Sequence, residues 1–223
     1  LRWFCPTGSK WEITFFAREL KINSKSIKAP IVLEQAKAAL YWLCFLGGVG
    51  AKSRKGFGSF QMPDELNDIK ITNKAFRLEC GLPEVPFDGN TPSPSLKLLT
   101  TIDDQIPNGI FEINSGIKNP WIVLDIIGSS FQSFAQKFKH QAEKKALGLP
   151  RRIGNPISGT FKSNLTRHSS PAFFHCSKDE NNNITIKICA FPSARLPNLK
   201  ESQRFLKDFL YYQNEWLTNY FEK

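Results

Sequence analysis

The sequence predicts an α+β protein in which helices pack on one face of antiparallel sheets. Two observations support this class. Short runs that alternate apolar and polar residues are typical of half-buried strands, and longer runs repeat apolar residues at the spacing of one helix face. Along the 223 residues these runs follow the order strand, helix, strands, helix, strands, helix. Two tandem ferredoxin-like units, the first of them truncated, account for this order.

Residues 1–80 form the first, partial unit in this interpretation. Its opening strand is predicted from apolar side chains at every second position, namely Trp11, Ile13, Phe15 and Ala17. A helix is expected over residues 30–46, which start with a proline, a residue that the first helical turn tolerates. Gly47 is expected to end that helix. Residues 59–61 and 68–80 are predicted to be further strands.

Residues 81–107 separate the two units. Five prolines and an Asp88-Gly89 turn signal fall within this stretch. Prolines at this density interrupt regular hydrogen bonding, so we expect a long irregular loop or a linker. A domain boundary is therefore placed here.

The second unit, residues 108–223, is predicted to open with two strands and a helix. The strands are expected at 109–113 and 121–127. The helix is expected at 131–147, with a serine directly before it as N-cap (Ser129 or Ser130). One face of this helix would carry Phe131, Phe134, Phe138 and Ala142.

A hairpin and a long final helix complete the second unit. The hairpin strands are predicted at 171–176 and 184–191, on either side of a polar turn at 179–183. Asn198 and Glu201 resemble a capping box for the final helix. Its core face is predicted to consist of Phe205, Leu206, Phe209, Leu210, Gln213, Trp216, Leu217 and Tyr220.

The positive charge of the chain is concentrated in two segments. The net charge is +10, and a balance of this kind indicates an acidic partner, most often nucleic acid. Between residues 137 and 167 the only acid is Glu143, against eight cations: Lys137, Lys139, Lys144, Lys145, Arg151, Arg152, Lys162 and Arg167. These residues give the segment a net charge of +7. Lys52, Arg54 and Lys55 add +3, so the two segments together account for the net charge of the chain. Such clustering is typical of a nucleic-acid footprint.

The cysteine and histidine patterns argue against a disulfide framework and a zinc site. The five cysteines are irregularly spaced and contain no CxxC pair, and the three histidines show no zinc-ligand spacing. No apolar run is long enough to cross a membrane. We therefore expect a cytoplasmic protein that carries no metal or cofactor.

The glycine-rich stretch Gly47–Phe60 is the most informative part of the sequence. It contains five glycines, three cations, two serines and two aromatic residues directly after the first helix. Glycines let another chain approach the backbone closely, and cations beside such a backbone predict a loop that holds phosphodiesters. The spacing matches neither the Walker loop nor the dinucleotide fingerprint. The alternative is a glycine-rich turn whose charges are merely solvated.

Two motifs support a family resemblance. The run Gly-Gly-Val-Gly-Ala-Lys-Ser-Arg-Lys-Gly-Phe-Gly-Ser at 47–59 resembles the glycine-rich loop of the RAMP superfamily, the RNA-binding proteins of CRISPR systems. The runs Ala-Leu-Gly-Leu-Pro at 146–150 and Arg-His-Ser-Ser-Pro at 167–171 resemble the "GLP … R-x-S-P" pattern of the first subunit of the type III-B (Cmr) effector complex.

The resemblance implies a protein of tandem ferredoxin-like domains at one end of a CRISPR ribonucleoprotein. Its partners would be CRISPR RNA, the complementary target RNA and other type III-B effector subunits, in RNA-guided antiviral defence. The family subunit is a binding component without catalytic activity. The strands expected before Trp11 do not appear, so the resemblance covers the later part of a full subunit.

The candidate RNA contacts fall into two sets. The loop set supplies phosphate ligands, open backbone and an aromatic ring that could stack on a base or simply pack in the core: Gly48, Gly50, Lys52, Ser53, Arg54, Lys55, Gly56, Phe57 and Gly58. The second set lies in irregular chain after a helix stop: Arg151, Arg152, Lys162, Arg167, His168, Ser169 and Ser170.

Two alternatives stay open at this stage. His168 could act as general acid or base in a metal-independent endoribonuclease of the same superfamily, and Asp103-Asp104 is the one suggestive carboxylate pair for metal-assisted cleavage. The third interpretation is a basic protein-interaction subunit whose charge meets an acidic protein.

Overall fold

The computed structural model describes residues 8–22, 25–50, 53–61, 110–138, 146–147, 170–190 and 199–223. These residues form an α+β structure with two antiparallel sheets, as predicted. In chain order the elements are β1 (Leu20–Ile22), β2 (Lys25–Ile27), α1 (Ala29–Phe45), β3 (Phe111–Asn114), α2 (Pro120–Lys137), β4 (Ala172–Lys178), β5 (Ile184–Ala190) and α3 (Leu199–Phe221). The strand predicted at 68–80, the loop at 81–107 and the proposed helix stop at 148–150 lie outside the described residues.

The larger sheet has the strand order β3-β5-β4, with both neighbouring pairs antiparallel. Helix α2 connects β3 to β4, and α3 follows β5. A β-α-β-β-α order with the third strand in the middle is compatible with a ferredoxin-like fold. β1 and β2 form a separate two-stranded sheet, with Leu20 opposite Ile27.

Helix α1 matches the prediction closely. Pro30 lies in its first turn, and its last residue is Phe45. The backbone N–H groups of Leu46 and Gly47 both donate to the carbonyl of Trp42, at 3.0 and 3.2 Å. A Cβ at Gly47 would lie 2.9 Å from the Cα of Leu43, so a larger residue does not fit at this helix end.

The strand predicted at Trp11–Ala17 is wrong. Residues 9–19 have no regular secondary structure, and the strand that follows begins only at Leu20. The side chain of Trp11 is 64% exposed and that of Phe16 is 93% exposed. Alternation produces a strand only where a neighbouring strand accepts its hydrogen bonds, and no strand in the described part of the chain pairs with this segment.

The strand predicted at 121–127 is also wrong, because these residues form the first half of α2. The side-chain oxygen of Asn119 accepts a hydrogen bond from the N–H of Trp121 at 3.0 Å, and Pro120 occupies the first turn. This N-cap outweighs the strand preference of the β-branched run. Ser129 and Ser130 therefore lie inside the helix and do not cap it.

The hairpin is confirmed. β4 and β5 pair from Ala172 opposite Ala190 to Lys178 opposite Ile184. The N–H of Asp179 donates to the carbonyl of Asn183 at 2.9 Å, and Asn182 adopts a φ of +64°. Asparagine tolerates this left-handed conformation better than most residues, which explains its place in the turn.

Helices α2 and α3 pack on one face of the larger sheet. Phe134 is buried between them, with its ring 4.9 Å from that of Phe209 in an edge-to-face arrangement. The predicted core face of α3 is buried at Phe205, Leu206, Phe209, Leu210, Gln213 and Leu217, whereas Tyr220 is 50% exposed. The opposite face of the sheet meets the end of α1, where Trp42, Phe45 and Leu46 pack with Phe173 and Cys189.

Candidate nucleic-acid interface

The glycine-rich segment lies along the free edge of β4. The N–H groups of three alternate residues on that edge are bound by the segment. Phe174 donates to the carbonyl of Arg54 at 3.0 Å, Cys176 to the hydroxyl of Ser59 at 3.1 Å, and Lys178 to the side-chain oxygen of Gln61 at 2.8 Å. An edge strand exposes such groups to unwanted pairing, so this segment protects the sheet.

The strand predicted at 59–61 is wrong, because these residues have no strand conformation. They nevertheless run beside β4. Their side chains replace the backbone partner, because Ser59 accepts from Cys176 while the amide of Gln61 both accepts from and donates to Lys178. A third strand-like contact is the isolated parallel bridge between Lys55 and Phe174.

The glycines of this segment have different surroundings. Gly58 has a φ of +66°, and a Cβ there would lie 2.0 Å from the carbonyl oxygen of Val49. The N–H of Val49 donates to the carbonyl of Gly58 at 2.9 Å, which closes the loop on itself. At Gly50, with a φ of +92°, no atom of the described residues lies within 4 Å of the same position. Gly58 is therefore needed for closure, whereas Gly50 leaves its backbone open to a ligand.

Gly48 and Gly56 belong with Gly58 rather than with Gly50. A Cβ at Gly48 would approach the carbonyl of Phe57 to 3.0 Å, and one at Gly56 would approach the thiol of Cys176 to 3.0 Å. The first contact lies within the segment itself, and the second joins the segment to β4. The structure thus accounts for these two glycines by packing of the segment against itself and against β4.

Arg54 connects the segment to the start of β4. Its guanidinium donates a hydrogen bond to the carbonyl of Ser170 at 2.9 Å and lies 5.0 Å from the centre of the Phe173 ring. Burial lowers the pKa of Arg54 from its usual value, and the side chain is half-buried. The Ser170 hydroxyl accepts from the N–H of Ala172 at 3.2 Å, which fixes the turn into the strand.

Lys55 is the exposed cation of the described loop residues. Its ammonium lies 5.2 Å from the centre of the Phe131 ring. Ser53 and Phe57 are half-buried. The remaining candidates lie outside the described residues: Lys52, Arg151, Arg152, Lys162, Arg167, His168 and Ser169, together with Asp103 and Asp104.

Sequence reasoning missed a buried histidine that supports the glycine-rich segment. His175 is 1% exposed, and its Nδ1 lies 2.8 Å from the carbonyl oxygen of Gly47. Burial lowers its pKa to about 4, so the ring is neutral at physiological pH. The signal was available in the alternation of β4, which places His175 on the face opposite to Phe174.

A cavity of about 340 Å³ lies on the same face of the sheet, under the end of α1. Two aromatic residues, one cysteine and seven polar or charged residues line it: Tyr41, Phe45, Cys44, Gln61, Glu112, Ser177, Lys178, Asp179, Thr185 and Lys187. Sequence analysis singled out none of these residues as functional. Only the strand register brings Glu112 and Lys187 opposite each other.

Comparisons of the chain with protein-family models, with curated proteins and with solved structures find no match. Within the described ranges, no helix is long and apolar enough to cross a membrane. The same part of the chain holds no group of three or more histidine, cysteine, aspartate or glutamate residues that could bind a metal ion.

Proposed function

We propose that this chain is a non-catalytic RNA-binding subunit of a type III-B CRISPR ribonucleoprotein. It holds CRISPR RNA or target RNA through the glycine-rich loop and the second basic segment. The motif resemblance to the RAMP superfamily suggests the assembly. The observation that supports RNA binding most directly is the 2.9 Å hydrogen bond between Arg54 and Ser170, because it joins the glycine-rich loop to a residue three positions after Arg167, where the second basic segment ends.

Two cations are close in sequence to the residues that this hydrogen bond joins. Lys52 precedes Arg54 by two residues, and Arg167 precedes Ser170 by three. One single strand of RNA can therefore contact both segments.

The described contacts indicate different roles for the loop residues. Arg54 is used to hold the loop against Ser170 and Phe173, so we assign it to positioning. Gly50 and Lys55 are exposed, and these two supply open backbone and charge to a phosphate. Contacts of this type carry no sequence information, which suits a protein that must hold any guide or target.

The fold proposed for this subunit is two tandem ferredoxin-like units. The β3-α2-β4-β5-α3 order would be the second unit, and α1 with the glycine-rich loop would belong to the first. The sheet of the second unit meets α1 on the face that its own helices leave uncovered. We place the assembled complex in the cytoplasm.

The test is fluorescence anisotropy of a labelled single-stranded RNA across a salt series. A Lys52→Ala/Lys55→Ala variant is compared with wild type, and Lys118→Ala is the matched control, since Lys118 follows Ile117 at the hairpin end of the sheet. We expect micromolar or tighter binding by wild type. Each lost phosphate contact should lower the salt slope by about 0.7.

Four outcomes decide the proposal. Weaker binding and a flatter slope in the double variant alone support it. Equal losses in the Lys118→Ala control, or no RNA binding by wild type, contradict it. Appearance of shortened RNA that depends on His168 would instead favour an endoribonuclease.

A further inference from the structure

The face of the larger sheet that meets α1 carries a row of polar side chains. Glu112 of β3 lies directly opposite Lys187 of β5, and Lys187 lies opposite His175 of β4. Successive strand residues alternate between faces, so this row lies opposite to the buried Ile113, Ile186 and Phe174. Glu112 and Lys187 line the 340 Å³ cavity beneath α1, a size at the lower end for small-molecule sites.

Lys187 is an unusual cation in this row. Its ammonium lies 3.7 Å from the centre of the Phe45 ring, and the side chain is half-buried. Burial lowers its pKa, while the negative charge of Glu112 raises it. No ion pair or hydrogen bond joins Lys187 to another described residue. Its N–H groups are therefore available to an acceptor within the cavity.

Two stacked aromatic rings belong to the lining of the cavity. Tyr41 and Phe45 lie one helical turn apart on α1, with parallel rings whose centres are 5.5 Å apart. Thr185 and Ser177 add hydroxyl groups to the opposite wall. A planar, hydrogen-bonding ring is the ligand class that such a combination suits.

We infer that this cavity binds a guanine base through its Watson–Crick edge. Guanine places one acceptor, O6, beside two donors, N1–H and the N2 amino group. Lys187, whose ammonium lies over the Phe45 ring, donates to O6, the carboxylate of Glu112 accepts from N1–H and N2–H, and the base packs against Tyr41. Adenine carries no N1 proton and has a donor where guanine has O6, so it would oppose the charges of both side chains.

Gln61 links this cavity to the glycine-rich segment. Its side chain lines the cavity and also bonds the backbone of Lys178. If the guanine belongs to RNA, an unpaired guanosine of a bound strand would enter beside that segment. In this respect the inference rests on the proposed function. A free guanine mononucleotide presents the same ring, and the experiment separates the two sources.

The experiment is calorimetric titration of the whole chain with guanosine, inosine and adenosine monophosphates. Inosine lacks the N2 amino group, so we expect its binding to be about tenfold weaker than that of guanosine. We expect no measurable heat with adenosine. Glu112→Gln should weaken guanosine binding at least tenfold and remove the preference over inosine, whereas Glu180→Gln, a carboxylate outside the cavity, should change nothing.

Lys187→Met provides a second variant that keeps the length of the side chain. It should lose guanosine binding while the melting curve shows a folded protein. Absence of guanosine binding in wild type, equal binding of adenosine, or an unchanged affinity in Glu112→Gln would overturn the inference.

RNA binding is measured alongside with oligouridine and with the same strand carrying one guanosine. If neither strand binds but the mononucleotide does, the proposed RNA function fails while the guanine pocket stands. If both strands bind equally and the mononucleotide does not bind, the pocket fails while the RNA function stands.

Discussion

The Nδ1 atom of His175 donates a hydrogen bond to the carbonyl oxygen of Gly47, at 2.8 Å, across 128 positions of the chain. A carbonyl can only accept, so the proton of the neutral ring is on Nδ1. This leaves Nε2 as a buried acceptor without a hydrogen-bond partner among the described residues. The contact attaches the first residue of the glycine-rich stretch to the centre of β4.

Because burial lowers the pKa of His175, we expect the protein to lose stability in mild acid. Its pKa is about 4 in the folded chain, against about 6.5 when unfolded. Because the folded pKa is the lower one, the stabilisation is complete above pH 6.5 and is lost as pH falls towards 4. The loss at pH 5 should be about 2 kcal/mol. Urea unfolding at pH 7.5, 6 and 5 measures it.

His175→Asn is the matched variant for that measurement. The asparagine amide can still donate to Gly47 but does not titrate between pH 4 and 7. We expect its stability to vary less with pH across this window. An identical pH dependence in both proteins would show that other groups cause the loss.

Two of the three left-handed glycines of the loop, Gly58 and Gly50, are expected to give opposite phenotypes when substituted. Gly58→Ala meets the carbonyl of Val49 at 2.0 Å, whereas Gly50→Ala adds a methyl group where no atom of the described residues lies within 4 Å. Both variants incur the strain of a positive φ, about 1–2 kcal/mol, so the difference between them isolates the steric contact. We expect Gly58→Ala to lower the free energy of unfolding by at least about 2 kcal/mol more than Gly50→Ala.

RNA affinity should rank these variants differently. Gly50→Ala should weaken RNA binding even though it destabilises the fold less than Gly58→Ala does, because it obstructs the exposed backbone at that point. Thermal melts and anisotropy titrations on the same samples give both quantities. Equal stabilities of the two variants would contradict the assigned role of Gly58.

Substitution of Ser59 is expected to change hydrogen exchange locally. Its hydroxyl accepts from the N–H of Cys176 at 3.1 Å and donates to the carbonyl of Gly56 at 2.9 Å. Ser59→Ala removes both bonds and should cost about 1–2 kcal/mol. The amide of Cys176 should exchange faster, while that of Ile186, in the middle strand, should keep its protection unless the whole domain opens. Unchanged exchange at Cys176 would show that the segment does not cover the edge in solution.

Local patterns explain the parts of the fold that sequence reasoning predicted. The periodicity of α3, the start of α1 and the polar turn at 179–183 each depend on residues close in sequence. The errors came from competing local signals. The apolar run at 121–127 satisfies both a strand and a helix, and Asn119 with Pro120 selects the helix.

The candidate site was predictable in position but not in its internal contacts. The glycines and cations identified the loop itself. That Arg54 binds the carbonyl of Ser170, and that Ser59 and Gln61 cover β4, depends on contacts between residues more than a hundred positions apart. Such contacts follow from the packing of whole elements, which a motif does not encode. The Glu112–Lys187 pair likewise needs the strand register.

The buried polar pair between α2 and α3 predicts an asymmetric mutant cycle. The hydroxyl of Ser130 donates to the side-chain oxygen of Gln213 at 2.5 Å, and it also lies 2.8 Å from the carbonyl of Ile127 in its own helix. After Gln213→Leu the hydroxyl therefore keeps a partner, whereas Ser130→Ala leaves the buried oxygen of Gln213 without its donor. We expect Ser130→Ala to cost about 1–3 kcal/mol and Gln213→Leu clearly less.

The double variant Ser130→Ala/Gln213→Leu tests the cause of that asymmetry. Once both polar groups are gone, no buried oxygen is left unpaired, so the double variant should be more stable than Ser130→Ala alone. Urea unfolding of the four proteins at pH 7.5 provides the cycle. If the two single losses simply add, the two side chains do not interact in solution.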